Sequence, residues 1–579
     1  MHTKYKNQLS VALYFIAWLA PAIALLVIDL DRVAFEKLML TMLLVGIWHL
    51  AFKNFLHGVY FSLFVFLLLP FDLFFLSIYK EAPTTAALLS VGNTNWEETV
   101  GFMHGRVVLL IAIGAAVILV WLFAARAGQQ GCGAKWRCFN PVTRYPSRIF
   151  IAVLVTLWGV FTFAPTFVEP SVVESAAANT NFSKLDQRLA SAIVKLKGIF
   201  PVGRFVSMGE YYREEATLRY AEQLRHKMHL NAKQVNAPGQ RQIYVLVLGE
   251  TARGDHSSLN GYERETAPLL AKQNNLVPIH NIVTPWNVTR LSVPTILSGQ
   301  QSYKNGNQLK TVISAFREAG FKTYWLSSQQ ITGSIITFAQ EADEKLFLSI
   351  SAQVMERYPN YDGSLLLPLR KLINRNEPRQ FFVIHLLGSH EPYQRRYPKE
   401  FDLFQPSLMS KPGLSYHDVK NKTEVINTYD NTMRYTDYVL SNIIETVEQA
   451  NGVSALLYSS DHGETLFDGS CELMGHGGSA RHDYIVNAFS WMSNEHKKYW
   501  PEKYRLMKER SNAPITTEFI FDTMLGLANI GADKASPTHN MAGADFQPQE
   551  RWVNTQQLLN WDSAHTEGPC KLIVSSLQK

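Results

Sequence analysis

The stretch QIYVLVLGETARGDHSSLNGYERETAP, Gln242–Pro268, decides the fold of the C-terminal part of the chain. Its apolar run, Ile243–Leu248, has the length of a buried strand and is shorter than a typical helix. The run ends abruptly in Gly249, Glu250 and Thr251, so a carboxylate and a hydroxyl directly follow a buried strand. Because functional side chains gather at the carboxyl ends of strands in open α/β sheets, this strand end predicts a functional site.

Further apolar runs of similar length follow, and the segments between them are helical or loop-like. They are Lys322–Ser328, Gln380–Gly388, Ala455–Asp461 and Ile485–Ser493. Continuous apolar strands that alternate with helices are typical of an α/β sheet covered on both faces. The sequence therefore predicts an α/β domain over residues 238–579.

Polar side chains follow two more of these strands. Ser389 and His390 come after the third strand, and Asp461 and His462 end the fourth. The segment MGHGGSARHD adds His476. Singly, these residues are more typical of a helix cap, a surface pair, a solvent-facing histidine or a tight turn than of a metal site. Together, carboxylate and imidazole groups suit Zn²⁺ and, less well, Mn²⁺.

The first ~165 residues have a different character and contain five long apolar runs. A helix that crosses a bilayer needs about 20 apolar residues. The runs are Ser10–Leu30, Leu38–Phe55, Val59–Tyr79, Val107–Ala125 and Ile149–Phe167. Any one of them could be a buried core helix, but five in succession predict a transmembrane domain of five helices over residues 1–167.

The charges in the loops predict the orientation of these helices. Lys4 and Lys6 at the N-terminus and five basic residues between the fourth and fifth runs are accompanied by no acid. Both segments should be cytoplasmic, whereas the loops after the first and third runs carry acids and should lie outside. Because five is odd, the large C-terminal part should also lie outside.

Residues 168–237 should connect the two domains. Two segments there have helical spacing of apolar residues and charged faces, which is typical of helices at a membrane interface or packed on a soluble domain. The net charge of +6 comes without a Lys/Arg run. This charge pattern indicates contact with anionic lipid and no nucleic-acid partner.

Two cysteines, Cys471 and Cys570, fall in the predicted external part. An oxidising compartment would permit a disulfide between them. Two unpaired thiols are equally compatible with the sequence.

Several motifs in this chain resemble those of the bacterial phosphoethanolamine transferases, members of the alkaline phosphatase/sulfatase superfamily. The similarity covers nearly the whole chain. The motifs are GETARGDHSSLNGYERETAP, NVTRLSVPTILS at Asn287–Ser298, GSHEPYQRRYP, SDHGETL, and TTAALLSVGNTNWEETVGF in the N-terminal part. The resemblance implies an external sulfatase-like α/β domain behind five membrane spans.

The resemblance also implies roles for individual residues. Glu250, Asp461 and His462 match the family's zinc ligands, and Thr289 matches its nucleophile, which is also a ligand. His390 and His476 match histidines that serve substrate phosphate or a second zinc, so one or two Zn²⁺ ions are expected. By this match Thr251 is not the nucleophile.

The expected activity is transfer of phosphoethanolamine from phosphatidylethanolamine to an envelope glycan or glycolipid: lipid A, or Kdo or heptose of the lipopolysaccharide core. The enzyme would lie in a bacterial inner membrane with its catalytic domain in the periplasm. One alternative is a phosphoglycerol transferase of the lipoteichoic acid synthase type, and another is an inactive member that binds lipid or a partner. A sulfatase needs Cys or Ser followed by x-Pro-x-Arg, which NVTRLSVP lacks.

The chain departs from the family pattern in three places. Pro285 and Thr295 stand where familiar members have a pair of disulfide-bonded cysteines around the nucleophile. Arg290 replaces a small residue and should either contact substrate phosphate or be a surface charge. His476 lies two residues further from the Asp461–His462 pair than in familiar members.

Overall fold

The computed structural model describes most of the α/β region and several N-terminal helices. The described residues are 2–28, 32–52, 55–79, 107–132, 199–205, 208–209, 212, 229–299, 310–329, 335–348, 361–533, 535–555 and 557–574. They form two compact units, an N-terminal helical unit and a C-terminal α/β unit.

The helical unit includes five α-helices. They are α1 (His2–Ile28), α2 (Arg32–Ala51), α3 (Phe55–Phe61), α4 (Leu63–Tyr79) and α5 (Val107–Ala127). Two stretches, Tyr5–Ile28 and Val108–Gln130, are long and apolar enough to cross a membrane. Helices α3 and α4 meet at a break where the chain bends by 54°. If these two helices together form one span, the described residues contain three candidate spans.

The predicted count of five spans stays a prediction. The second predicted run lies largely in α2. This helix is not among the described helices that are long and apolar enough to cross a membrane. The fifth run, residues 149–167, lies outside the described residues, as do most of the predicted connecting helices.

The strands of the α/β unit include all five that the sequence predicts. They are β1 (Lys233–Gln234), β2 (Gln242–Gly249), β3 (Leu276–Pro278), β4 (Ile282–Val283), β5 (Lys322–Ser327), β6 (Glu344–Phe347), β7 (Arg379–His385), β8 (Val453–Ser460), β9 (Thr465–Leu466), β10 (Met474–Gly475), β11 (Ala488–Met492), β12 (Ile515–Thr516), β13 (Ile530–Gly531), β14 (Trp552–Asn554), β15 (Leu558–Asn560), β16 (His565–Glu567) and β17 (Leu572–Val574).

Seven of these strands form the central sheet, in the order β3-β11-β8-β2-β7-β5-β6. Strand β2 lies in the middle and pairs in parallel with β8 on one side and β7 on the other. Strand β11 runs antiparallel to β8, and β3 antiparallel to β11. The predicted α/β sheet is therefore confirmed, with short strands added at both edges.

Helices cover both faces of the sheet. They are α6 (Thr289–Ser298), α7 (Val312–Glu318), α8 (Ile335–Ala339), α9 (Leu366–Ile373), α10 (Lys422–Glu448), α11 (Asn494–Tyr499), α12 (Pro501–Glu509) and α13 (Phe519–Leu527). Alternate residues of a strand point to opposite faces. Tyr244, Leu246 and Leu248 of β2 pack into one apolar cluster, and Ile243, Val245 and Val247 into another. Burial on both faces explains why β2 has no polar alternation.

Two peripheral features extend the α/β unit beyond the central sheet. Strand β1 precedes the predicted domain boundary at residue 238 and pairs with β13. At the other end of the unit, Cys570 forms a disulfide with Cys471. Strand β17 follows it, and Ile573 N donates a hydrogen bond to Ser479 O at 2.8 Å. The segment between Cys471 and Ser479 is therefore fixed at both of its ends.

Candidate active site

Two adjacent strands deliver three buried polar side chains to one point. Gly249 at the end of β2 is paired with Ser460 at the end of β8, so Glu250 and Asp461 leave the sheet side by side. One ligand atom from each of Glu250, Asp461 and His462 lies within 4.8 Å of the others, and all three residues are fully buried. Parallel pairing of continuous apolar strands thus assembles a possible metal site from distant parts of the chain.

Thr289 completes this group. It is the first residue of α6, and its Oγ1 donates a hydrogen bond to Glu250 Oε1 at 2.9 Å. The same oxygen lies 3.2 Å from His462 Nε2. A helix N-terminus carries partial positive charge, which favours a negatively charged oxygen at this position. The structure therefore brings the predicted nucleophile into contact with two of the predicted ligands.

The charges in this cluster favour a cation. Burial raises the pKa of Asp461, and the nearby Glu250 carboxylate raises it further. Burial would lower the pKa of His462, but Asp461 and Glu250 together raise it to about 10. Burial also opposes ionisation of Glu250, yet the hydrogen bond from His462 and the charge of His390 hold its pKa below the usual range. Two carboxylates thus surround one positive charge, here the proton on His462.

This donor set fits zinc. Carboxylate oxygens and an imidazole nitrogen are ordinary zinc ligands. The hydroxyl of Thr289 touches both Glu250 and His462 and is placed to join them. A divalent ion would replace the proton on His462 as the positive charge between the two carboxylates, because a metal binds only the neutral imidazole.

The two other predicted histidines also lie at this site. The ring centre of His476 is 4.2 Å from that of His462 and 5.9 Å from that of His390. His476 Nδ1 lies 3.3 Å from both carboxylate oxygens of Glu464. All six residues predicted from the sequence are therefore gathered within one cluster.

Glu464, which contacts His476, was not predicted, and neither were Gln329 and His385, which contact this cluster or lie near it. Gln329, just past β5, donates its Nε2 to Glu250 Oε2 at 3.2 Å and to Leu386 O at 3.0 Å. His385 ends β7 and is buried, which lowers its pKa to about 4 although Glu250 acts in the opposite direction. Gln329 and His385 lie at or just after the ends of strands that the sequence predicts, which is the signal that could have identified them.

Arg253 joins two of the motifs inside the protein. Its guanidinium is buried and donates to Asp255 Oδ1 at 2.8 Å and to Asp468 Oδ1 at 2.9 Å. It also donates to the backbone oxygen of Glu464 at 3.1 Å. The arginine of GETARGD thus fixes the segment that follows the candidate ligands Asp461 and His462.

The backbone conformation at Gly388 explains why the GSHEPY segment begins with glycine. Its φ is +53°, and a Cβ at this position would lie 2.6 Å from Glu250 O. The loop is held by Asp362, whose Oδ2 accepts from Gly388 N at 2.9 Å and whose Oδ1 accepts from Leu387 N at 2.8 Å. Only glycine allows this loop to pass so close to the backbone of Glu250.

The structure shows the surroundings of the residues at which the chain departs from the family pattern. Arg290 is only 5% exposed, so the interpretation as a surface charge is wrong. In place of the cysteine pair, Thr295 Oγ1 donates to Leu291 O at 2.8 Å within α6. Pro285 O accepts from Asn554 N of β14 at 2.8 Å. The longer spacing of His476 still places its ring against His462.

Comparisons with known proteins agree with this architecture. Residues 242–530 match the model of the Sulfatase family. Phosphoethanolamine transferase EptC of Escherichia coli (strain K12) is 23% identical over 499 residues, which is 82% of this chain and 80% of that protein. The crystal structure of its C-terminal periplasmic domain has 25% sequence identity and a TM-score of 0.52, and covers 58% of this chain and 96% of that one. A complex of that domain with Zn is also known.

A full-length relative has the same fold. The integral membrane lipooligosaccharide phosphoethanolamine transferase A of Neisseria meningitidis gives a TM-score of 0.64 at 18% identity, covering 92% of this chain and 96% of that one.

The C-terminal unit is therefore a sulfatase-family domain. It follows N-terminal helices of membrane-spanning type. The resemblance to phosphoethanolamine transferases is confirmed, because the relatives that match most of the chain bear that name.

Proposed function

We propose that this protein is a zinc-dependent phosphoethanolamine transferase of a bacterial inner membrane. It takes phosphoethanolamine from phosphatidylethanolamine and passes it to an envelope glycan or glycolipid such as lipid A, or Kdo or heptose of the lipopolysaccharide core. The contact of the Thr289 hydroxyl with Glu250 and His462 carries this proposal. The names of its relatives support the transferred group.

The reaction has two displacements at phosphorus. Thr289 Oγ1 loses its proton and forms a bond to the donor phosphorus, the bond to the diacylglycerol oxygen breaks, and that oxygen takes up a proton. An acceptor hydroxyl then loses its proton and attacks the same phosphorus, the bond to Thr289 breaks, and Oγ1 regains a proton. A covalent intermediate of this kind splits one difficult transfer into two easier ones.

The residues around Thr289 prepare it for this role. Glu250 Oε1 accepts the hydroxyl hydrogen, which orients Oγ1 and draws electron density towards it. Glu250, Thr289, Asp461 and His462 would hold the zinc ion. Bound zinc lowers the pKa of a coordinated hydroxyl and offsets negative charge at phosphorus. His390 and His476, whose rings lie beside this group, would bind the phosphate oxygens or a second ion.

The helical unit fits a lipid donor. Spans that anchor the chain would keep the catalytic domain at the periplasmic surface of the membrane, where it could reach phosphatidylethanolamine. The acceptor hydroxyl must reach the site at the same surface.

Intact mass measurement on the full-length protein tests the proposal. The protein is incubated with zinc and phosphatidylethanolamine, and Thr289→Ala is treated in parallel. We expect a gain of one phosphoethanolamine that maps to Thr289 and is absent from the variant. Thr446→Ala, which removes a buried hydroxyl on α10 bonded to Asn442 O, is the matched control and should form the adduct.

Other results would assign other functions. A phosphoglycerol adduct from phosphatidylglycerol, with none from phosphatidylethanolamine, would place the protein with the lipoteichoic acid synthase type. No adduct from either lipid in zinc-loaded protein would support an inactive, lipid-binding or partner-binding member.

A further inference from the structure

Thr251 has an unusual backbone conformation beside the proposed metal site. Its φ is +57°, in the left-handed region that threonine rarely adopts because its branched Cβ is crowded there. The residue directly follows Glu250 and is fully buried. Strained residues persist only where the surrounding structure holds them, and they cluster at functional sites.

The same residue contacts both carboxylates of the site. Thr251 N donates to Asp461 Oδ1 at 3.0 Å, and Thr251 Oγ1 donates to Glu250 Oε1 at 3.1 Å. These two carboxylates repel each other when both are ionised. A donor to each of them offsets that repulsion and fixes the direction of their oxygens.

Neighbouring groups hold Thr251 in this conformation. The hydroxyl of Tyr429 donates to Thr251 O at 2.7 Å. On either side, Ser389 N donates to Glu250 O at 2.9 Å and Ala252 N donates to Ser460 Oγ at 2.7 Å. The backbone around Thr251 is therefore tied to α10, to β8 and to the loop after β7.

We propose that Thr251 is a positioning residue that holds Glu250 and Asp461 in place for a divalent cation, and that its left-handed backbone is retained for this purpose. The inference rests on the zinc site of the proposed function. It assigns Thr251 no direct contact with substrate, in contrast to Thr289. Loss of a group that orients a metal ligand typically weakens metal binding about 10–100-fold.

Zinc titration of the full-length, detergent-solubilised protein against a competing chelator tests the role of the hydroxyl. Thr251→Val keeps the shape and the backbone donor but removes the hydroxyl, and its Kd for zinc should rise about 10–100-fold. Thr251→Ser keeps the hydroxyl and should bind zinc like the wild-type protein. Thr446→Val removes a buried hydroxyl near the C-terminal end of α10. This variant is the control and should leave the Kd for zinc unchanged.

A second comparison tests the backbone strain without zinc or activity. Thr251→Ala and Thr251→Gly both lack the hydroxyl, but only glycine adopts a positive φ freely. With the metal removed, the glycine variant should resist thermal proteolysis within residues 229–574 to a higher temperature than the alanine variant. The cleaved segment is identified by mass spectrometry, so unfolding of the α/β unit is read in the intact chain.

The outcomes separate this inference from the proposed function. Unchanged zinc binding in Thr251→Val, or a glycine variant no more resistant than the alanine variant, would overturn the positioning role and leave the transferase proposal intact. A wild-type protein that binds zinc but forms no phosphoethanolamine adduct would overturn the transferase proposal and leave this inference intact. A wild-type protein that binds no zinc would overturn both.

Discussion

Thr289 Oγ1 donates a hydrogen bond to Glu250 Oε1 at 2.9 Å, although the two residues are 39 positions apart in the chain. Glu250 is fixed by the central strand β2, and Thr289 by the first turn of α6. Their contact fixes the position of the first turn of α6 relative to the carboxyl end of β2. The Thr289 hydroxyl keeps this contact only while both elements are held in place.

Gly388→Ala should damage the site through the backbone of Glu250. The added Cβ would lie 2.6 Å from Glu250 O, so Glu250 must shift and zinc content should fall. Metal analysis of the purified protein measures this. Gly413→Ala is the control, because φ is also positive there, at +92°, but a Cβ meets nothing within 4 Å. Equal zinc loss in both variants would contradict the steric explanation.

Arg253→Met should destabilise the α/β unit by about 3–5 kcal/mol, since it removes the buried guanidinium that pairs with the partly buried carboxylate of Asp468. Denaturant unfolding followed by pulse proteolysis measures the change. Arg505→Met removes an exposed ion pair with Glu509 and should cost about 0.5 kcal/mol or less. A similar small effect at both positions would show that the Arg253 network contributes little stability.

Reduction of the Cys471–Cys570 disulfide should lower stability by about 2–4 kcal/mol, because the bond closes a long loop in the unfolded chain. It should also loosen the segment that carries His476. Cys471→Ser with Cys570→Ser should reproduce the effect without a reductant. A reductant that still lowers the stability of the double variant would point to a different target.

Lys503 should make stability depend on alkaline pH. Burial lowers its pKa to about 7 from an ordinary value of 10.5. Between these two values the unfolded chain binds the extra proton, so the free energy of unfolding should rise with pH, by at most ~1.4 kcal/mol per unit. Proteolysis at pH 7, 8 and 9 should show this slope in the wild type and a flatter one in Lys503→Met. Lys508→Met, at an exposed position of the same helix, should keep the slope.

The fold of the α/β unit was largely predictable because its central strands are buried on both faces. The runs around Leu246, Phe382 and Leu457 are continuous and apolar, so their length and neighbours were enough to identify them. The edge strands β3 and β6 have only three and four residues, and nothing in their sequences separates them from loops. Glu250, Asp461 and His462 were predictable because they lie at or just after the ends of such strands, whereas Thr289 at the start of α6 was assigned through the family resemblance.

The supporting residues were harder to predict because their roles depend on contacts between distant segments. Arg253 looks like a surface residue until Asp468, 215 positions later, is folded against it. Arg290 was open to a surface interpretation because the burial of the first turn of α6 is not visible in the sequence. The strain at Thr251 is a backbone property, and threonine gives no sign of it in the sequence.

The disulfide and strand β17 also set the order in which the site can be completed. Cys570 lies 99 positions after Cys471, and β17 follows it directly. During synthesis, Glu250, Thr289, Asp461 and His462 emerge well before this anchor. The loop that carries His476 gains its final support only when β17 has paired and the disulfide has formed. Completion of the site is thereby coupled to oxidation of this cysteine pair.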